Sequence, residues 1–273
     1  MSNELPLLIE PAALAASDDR NGLCLISFCE RASHEQHGIP GSQRLDYSEI
    51  QRKQGQRGGL LPDTADFHAL LQRLGIGPET QVVAYDEEGG GYAGRLIWTL
   101  HAFGHRKASL LNGGFVAWQQ AGLPCSAPQA LTPVRSDYAP PLIGDNVIEA
   151  EEIMARLGAA DFALLDARSA DEYSGARAIS RRGGHVPGAK HFEWTDAMDR
   201  QNGLRLKPAE QLQARLDALG LTRDKEIVVY CQTHHRSALS YVMLKRLGYP
   251  RVRGYHGAWS DWGNRDDTPV ECG

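Results

Sequence analysis

Two short apolar runs rich in β-branched residues mark the chain, Val82 to Tyr85 and Ile227 to Tyr230. Runs of this length without polar alternation predict strands buried on both faces. Ala163 to Leu165 is a third. Elsewhere apolar residues recur at helical spacing: Leu212, Leu216 and Leu219 within Ala209 to Leu219, and Leu239, Val242, Met243 and Leu247 within Ser237 to Leu247. Strand, tight loop, helix, strand predicts parallel βαβ units. The fold class is therefore α/β, with an open doubly wound parallel sheet and helices on both faces. In such sheets chemistry gathers where strand ends meet helix N-termini. The loops after Tyr85 and Tyr230 are those places.

The pattern occurs twice. LGIGPETQVVAYD, Leu74 to Asp86, aligns without a gap on LGLTRDKEIVVYC, Leu219 to Cys231, at an offset of 145 residues. Past the loop the offset becomes 144, which places Phe103-Gly104-His105 over Leu247-Gly248-Tyr249, Gly113-Gly114-Phe115 over Gly257-Ala258-Trp259, and Trp118 over Trp262. Upstream, His37-Gly38-Ile39-Pro40-Gly41 pairs with Gly184-His185-Val186-Pro187-Gly188 at an offset of 147. A period this long gives each copy its own core. It predicts domains at 1–123 and 146–273. The segment 124–145 between them carries five prolines (Pro124, Pro128, Pro133, Pro140 and Pro141) and reads as a stiff, extended linker.

Charge and composition narrow the function. With 29 basic and 34 acidic residues the 273-residue chain carries a net charge of -5. It has no net attraction for nucleic acid or an anionic membrane, so any anion site must be built locally. No apolar run approaches the roughly 20 residues of a membrane helix. The opening MSNELPLLIE lacks the basic and apolar regions of a signal peptide. Five cysteines (Cys24, Cys29, Cys125, Cys231 and Cys272) lack CxxC spacing, which argues against a disulfide framework or a zinc ribbon. A reducing, cytoplasmic setting is expected, with room for a working thiol.

The two loops differ in what they offer. The first, DEEGGGYAGR, places Gly89, Gly91 and Gly94 in GxGxxG register, but no Asp or Glu follows from Gly89 through Ser136 to hold a ribose. Its glycines read as the means of a tight turn. The second is Cys231-Gln232-Thr233-His234-His235-Arg236-Ser237, with Cys231 where the first copy has Asp86. A cysteine ending a buried strand is ordinarily an inert core residue. Here a polar loop and a helix start follow it, so its sulfur is expected in a cup of backbone N–H groups beside the Arg236 cation. A free thiol with a pKa near 8.5 is only about 3% ionised at pH 7, and a depression of about two units makes it mostly thiolate. The site reads as a nucleophile. Cys231, His234 and His235 are poor metal ligands, because adjacent histidines do not readily face one ion and no fourth ligand is near. Neither histidine is placed to activate the thiol as in a Cys/His protease. Both read as a polar pocket rim. Spacing of Cys231-x4-Arg236 is one residue short of the C-x5-R phosphatase loop, which leaves the ring too tight for phosphate.

The chain resembles the tandem-domain rhodaneses, thiosulfate sulfurtransferases, over nearly its whole length. The resemblance rests on LLDARSADEY at Leu164 to Tyr173, GHVPGAKHF at Gly184 to Phe192 and VVYCQTHHRS at Val228 to Ser237. GGFVAW at Gly113 to Trp118 and HGAWSDW at His256 to Trp262 close the two copies. The CQTHHRS loop is most similar to that of the bacterial Azotobacter-type members. The resemblance implies a catalytically inactive N-terminal copy, an active C-terminal copy and a pocket near the domain interface. In residue terms, Cys231 would take the outer sulfur of thiosulfate as a persulfide, release sulfite and pass the sulfur to cyanide or a cellular thiol. N–H groups from Gln232, Thr233, His234, His235, Arg236 and Ser237 would hold the persulfide anion. Arg236 would bind the sulfonate end, unless it is spent on a carboxylate such as Asp166. No metal or organic cofactor is required, and two mutually packed domains read as a monomer. Two alternatives stay open. One is 3-mercaptopyruvate sulfurtransferase, whose loop resembles CGSGVT and for which Arg177, Arg181 and Arg182 could supply carboxylate partners. The other is a persulfide carrier with little turnover. Cys24 and Cys29 read as buried, and Cys125 and Cys272 as linker and tail residues.

Overall fold

The structure, a computed structural model, describes residues 5–17, 22–127 and 137–273. Both apolar runs are central strands, Gln81–Tyr85 and Glu226–Tyr230. Val82, Val83, Val228 and Val229 are wholly buried, as strands covered on both faces require. The first sheet runs Leu8–Ile9, Ala108–Leu111, Gln81–Tyr85, Leu23–Ser27, Ser42–Arg44, and every pairing is parallel. Val147–Ile148, Val252–Tyr255, Glu226–Tyr230, Phe162–Asp166 and Lys190–His191 repeat that order in the second. The expected duplicated α/β sheet is present, five strands in each copy. Pro128 and Pro133 of the linker lie outside the described residues; 124–127 and 137–144 form neither helix nor strand.

The repeated motifs carry repeated bonds. Ile39 and Val186 each donate a backbone N–H to the buried tyrosine hydroxyl that ends the central strand, Tyr85 at 3.2 Å and Tyr230 at 3.1 Å. Phe115 and Trp259 donate N–H to the first carbonyl of the following loop, Asp86 at 2.8 Å and Cys231 at 2.9 Å. Trp118 and Trp262 bury their rings and donate indole N–H to the carbonyls of Pro124 and Pro269. These residues recur because they fix the path into and out of each loop.

Two compact units result, and each takes in a short hairpin from the other copy. The first comprises Met1–Ile50, Pro62–Gly144 and Met198–Leu206; the second comprises Gln51–Leu61, Asp145–Ala197 and Lys207–Gly273. The antiparallel pair Arg52–Gln54 with Arg57–Leu60 thus belongs to the second unit, and Met198–Asp199 with Arg205–Leu206 to the first. Among the described residues no helix is long and apolar enough to cross a membrane.

The LLDARSADEY segment builds the floor under the second loop. Asp166 ends its strand fully buried and is paired with Arg168, whose Nε lies 3.0 Å from both carboxylate oxygens. Arg168 also donates to the Gly184 carbonyl and stacks its guanidinium over Trp259 at 4.3 Å. Truncating one partner of such a pair leaves the other charge buried and alone, which costs about 3–5 kcal/mol. Arg168→Ala should therefore lower the urea midpoint of unfolding by that equivalent. A loss below about 1 kcal/mol would mean that Asp166 finds another partner or a proton.

Candidate active site

Cys231 is the first residue after the strand Glu226–Tyr230, and the helix Arg236–Arg246 begins five residues later. The helix has His235 at its N-cap without a side-chain cap, so its first N–H groups need another partner. The Cys231 sulfur supplies it: the Ser237 backbone N–H and hydroxyl both hydrogen-bond there. The loop is pinned from outside as well, since Ser260 donates its N–H to the Gln232 carbonyl at 2.9 Å. His234 completes the turn in the left-handed region, φ 52°. A non-glycine residue there costs about 1–2 kcal/mol, so the surrounding bonds must hold it.

The first copy reveals what this cup accommodates. Asp86 Oδ1 accepts N–H bonds from Glu88, Gly89 and Gly90 at 3.1, 3.0 and 2.8 Å, and Oδ2 accepts one from Ala93 at 3.0 Å. Ala93 aligns with Ser237, so the same amide serves the carboxylate in one copy and the sulfur in the other. Burial and the nearby Glu88 charge push the Asp86 carboxyl above its ordinary pKa, against the opposing N–H bonds of Ala93, Gly90 and Glu88. The glycine-rich loop turns tightly, as expected, around its own carboxyl group.

Three buried cysteines permit an internal comparison. Burial pushes the Cys24 and Cys29 thiols up to about 12, with little opposing charge. Burial acts on Cys231 in the same sense, yet the Arg236 charge, the Ser237 hydrogen bonds and His235 outweigh it and hold the thiol below its ordinary value. Cys125 and Cys272 are exposed and all five are free thiols.

Arg236 is not paired with Asp166, which is committed to Arg168. Its partner is Glu172: Nη1 and Nη2 donate to the two carboxylate oxygens at 2.7 and 2.8 Å. Glu172 closes a capping box with Ser169 on the helix Ala170–Ser174, so one carboxylate both caps a helix and orients the loop's cation. The S-x-x-E spacing was the available signal for this residue. Burial opposes ionisation of Glu172, but Arg236 and Ser169 bring its pKa down to about 2.

The remaining loop residues separate. Gln232 donates its amide to Ser180 Oγ at 3.1 Å. Thr233 turns its carbonyl toward Gly59 of the hairpin. His234 is wholly buried rather than on a rim, its Nδ1 2.8 Å from Ser237 Oγ. His235 lies partly exposed, its ring 5.8 Å from that of Trp194. Arg181 is tied to Asp266 and Asn264, Arg182 to the carbonyls of Trp262 and Thr268, and Arg177 is exposed. Among the described residues no group of three or more His, Cys, Asp or Glu could hold a metal ion.

The rhodanese-like domain model matches twice, over residues 11–121 and 149–265. The chain is 44% identical to a thiosulfate sulfurtransferase of Azotobacter vinelandii over 267 residues, covering 98% of this chain and 97% of that one. A thiosulfate sulfurtransferase of Pseudomonas aeruginosa is also 44% identical, with 98% of each chain covered. A protein of the same bacterium named probable 3-mercaptopyruvate sulfurtransferase is more distant, at 34% identity over 90% of this chain and 88% of that one. The chain belongs to the rhodanese-like domain family, as a tandem of two such domains.

The Arg236–Glu172 pair sets a pH test. A carboxylate depressed to about 2 stabilises the fold above its unfolded pKa of about 4.3 and loses that contribution as pH falls toward 2. The difference corresponds to about 3 kcal/mol. Glu172→Gln should be less stable than the parent by that order at pH 7 in chemical denaturation, and the gap should close between about pH 4.5 and 2. A gap that does not change with pH would refute the ionic account.

Proposed function

We propose that the chain is a thiosulfate:cyanide sulfurtransferase with Cys231 as nucleophile. The observation that supports this most is the cup itself: where the first copy stores a carboxylate, the second presents a thiol held down by Arg236 and Ser237. The Cys231 thiolate attacks the outer sulfur of thiosulfate. The sulfur–sulfur bond of the donor breaks, sulfite leaves with the electron pair, and a persulfide remains on Cys231. Cyanide, or a thiolate, then attacks the terminal sulfur and expels Cys231 as thiolate, ready for another turn.

Each loop residue has a part in this reading. The amides from Gln232 to Ser237 stabilise the persulfide anion, a preorganised role that the first copy already performs for Asp86. A guanidinium has five N–H groups, and Glu172 takes two from Arg236, which leaves three for the sulfonate end of the donor. His234 orients Ser237, while Gln232, Thr233 and His235 border the donor. The first copy, with Asp86 at the nucleophile's position, contributes no second turnover. Neither metal nor organic cofactor enters the cycle, and five free thiols suit a reducing cytoplasm. For 3-mercaptopyruvate, Arg181 and Arg182 would have to leave the partners that now hold them, while Arg177 is exposed.

Steady-state thiocyanate formation from thiosulfate and cyanide tests the proposal, with 3-mercaptopyruvate as a parallel donor. Thiosulfate should be the better donor, Cys231→Ala should fall to the uncatalysed background, and Arg236→Ala should lose about 100-fold in kcat/KM. Preference for mercaptopyruvate would overturn the donor assignment. One stoichiometric sulfur transfer without turnover would make the protein a carrier, and activity without Cys231 would sink the mechanism.

A further inference from the structure

The second unit contains an element from the first half of the chain, and that element grips the reactive loop. In the strand Arg57–Leu60, Gly58 donates its N–H to Ser260 Oγ at 2.9 Å, and Ser260 Oγ lies 3.2 Å from the Gly58 carbonyl. Ser260 is the residue whose own N–H holds the Gln232 carbonyl. Next along, Gly59 has φ 71°, and a Cβ placed on it would lie 1.9 Å from the Thr233 carbonyl oxygen and 2.6 Å from its carbon. Glycine is required there twice over, by the backbone angle and by the approach of the loop. The hairpin is itself anchored. Leu61 donates its N–H to His256 Nδ1 at 3.2 Å, His256 Nε2 lies 2.9 Å from Glu149, and Arg57 reaches Glu149 at 2.9 Å and Asp261 at 3.3 Å.

The peptide under this grip is the strained one. Thr233 precedes His234, which sits at φ 52° with its ring bonded to Ser237 Oγ, and Ser237 in turn bonds the Cys231 sulfur. Resting on the sulfurtransferase reading, we propose that residues 57–61 are positioning residues for the Cys231 loop. They hold the Thr233–His234 peptide in its left-handed turn, so the half of the chain without a nucleophile sets the reactivity of the nucleophile in the other half. The first unit has a comparably tight hairpin contact away from any thiol: a Cβ on Gly113, φ 73°, at the N-cap of the helix Gly114–Gln120, would lie 2.2 Å from the Gly203 carbonyl between Met198–Asp199 and Arg205–Leu206.

That contact supplies the control. In the full chain, Gly59→Ala and Gly113→Ala impose comparable crowding on the two units. For each, iodoacetamide labelling of Cys231, resolved by peptide mass spectrometry, is followed against pH together with kcat/KM for thiosulfate. Gly59→Ala should raise the labelling midpoint by about one pH unit and lower kcat/KM at least about tenfold, whereas Gly113→Ala should leave both within about twofold. Should Gly59→Ala fail to fold, Ser260→Ala cuts the links to Gly58 while keeping the backbone bond to Gln232; about a threefold loss with an upward midpoint is expected. Folded variants of either kind with unchanged labelling and kcat/KM would overturn the proposal, as would Gly113→Ala moving them equally. Labelling needs no sulfur donor. A parent that makes no thiocyanate while Gly59→Ala still shifts labelling would therefore refute the function and leave the hairpin's role standing.

Discussion

At the end of each central strand the chain turns back on itself and starts a helix, and backbone N–H groups meet the side chain that follows the strand: those of Glu88, Gly89, Gly90 and Ala93 at Asp86, and that of Ser237 at Cys231. A cluster of unpaired backbone donors has to be filled by something that accepts hydrogen bonds and tolerates positive potential. The first copy fills it permanently with the Asp86 carboxylate. The second fills it with sulfur, and the same donors that stabilise the fold at rest favour the thiolate over the thiol. Structure and reactivity thus share one set of bonds. The buried floor of Asp166 and Arg168, the tyrosine at each strand end and the indole anchors all keep that set in register.

The charge arrangement around the sulfur is layered. Arg236 faces Cys231, and Glu172 faces Arg236. Without Glu172 the guanidinium would carry an unpaired charge in a largely buried place, and without Arg236 burial would drive the thiol upward as it does at Cys24 and Cys29. A carboxylate one step removed from the nucleophile therefore orients the cation at a modest cost in potential. In the first copy Tyr92 stands where the second has Arg236, which fits a loop whose carboxyl group is already built in.

Much of this was legible in the residues because the relevant signals are local. Strands buried on both faces give unbroken apolar runs, and helices give their spacing, so the α/β tandem and the family resemblance are both borne out. Asp86 and Cys231 could be aligned because the flanking strands repeat. Glu172 could be recognised as a cap from its spacing to Ser169, but its partner lies 64 positions away and no periodicity links them. The exchanged hairpins were invisible for the same reason: Gly58 and Ser260 are 202 positions apart, and a glycine pair in a polar stretch signals only a turn. His234 read as a polar rim because histidine is usually half-exposed. Its burial follows from the left-handed turn, a tertiary constraint that composition does not encode.

The central claim is that the cup holds the Cys231 thiol below its ordinary pKa although the residue is wholly buried. Ultraviolet titration of thiolate absorbance, taken as the difference between the parent and Cys231→Ser, measures this directly without any substrate. The account predicts one thiolate ionising with a midpoint clearly below the ordinary value of about 8.5. A midpoint at or above that value, in the direction of Cys24 and Cys29, would contradict it.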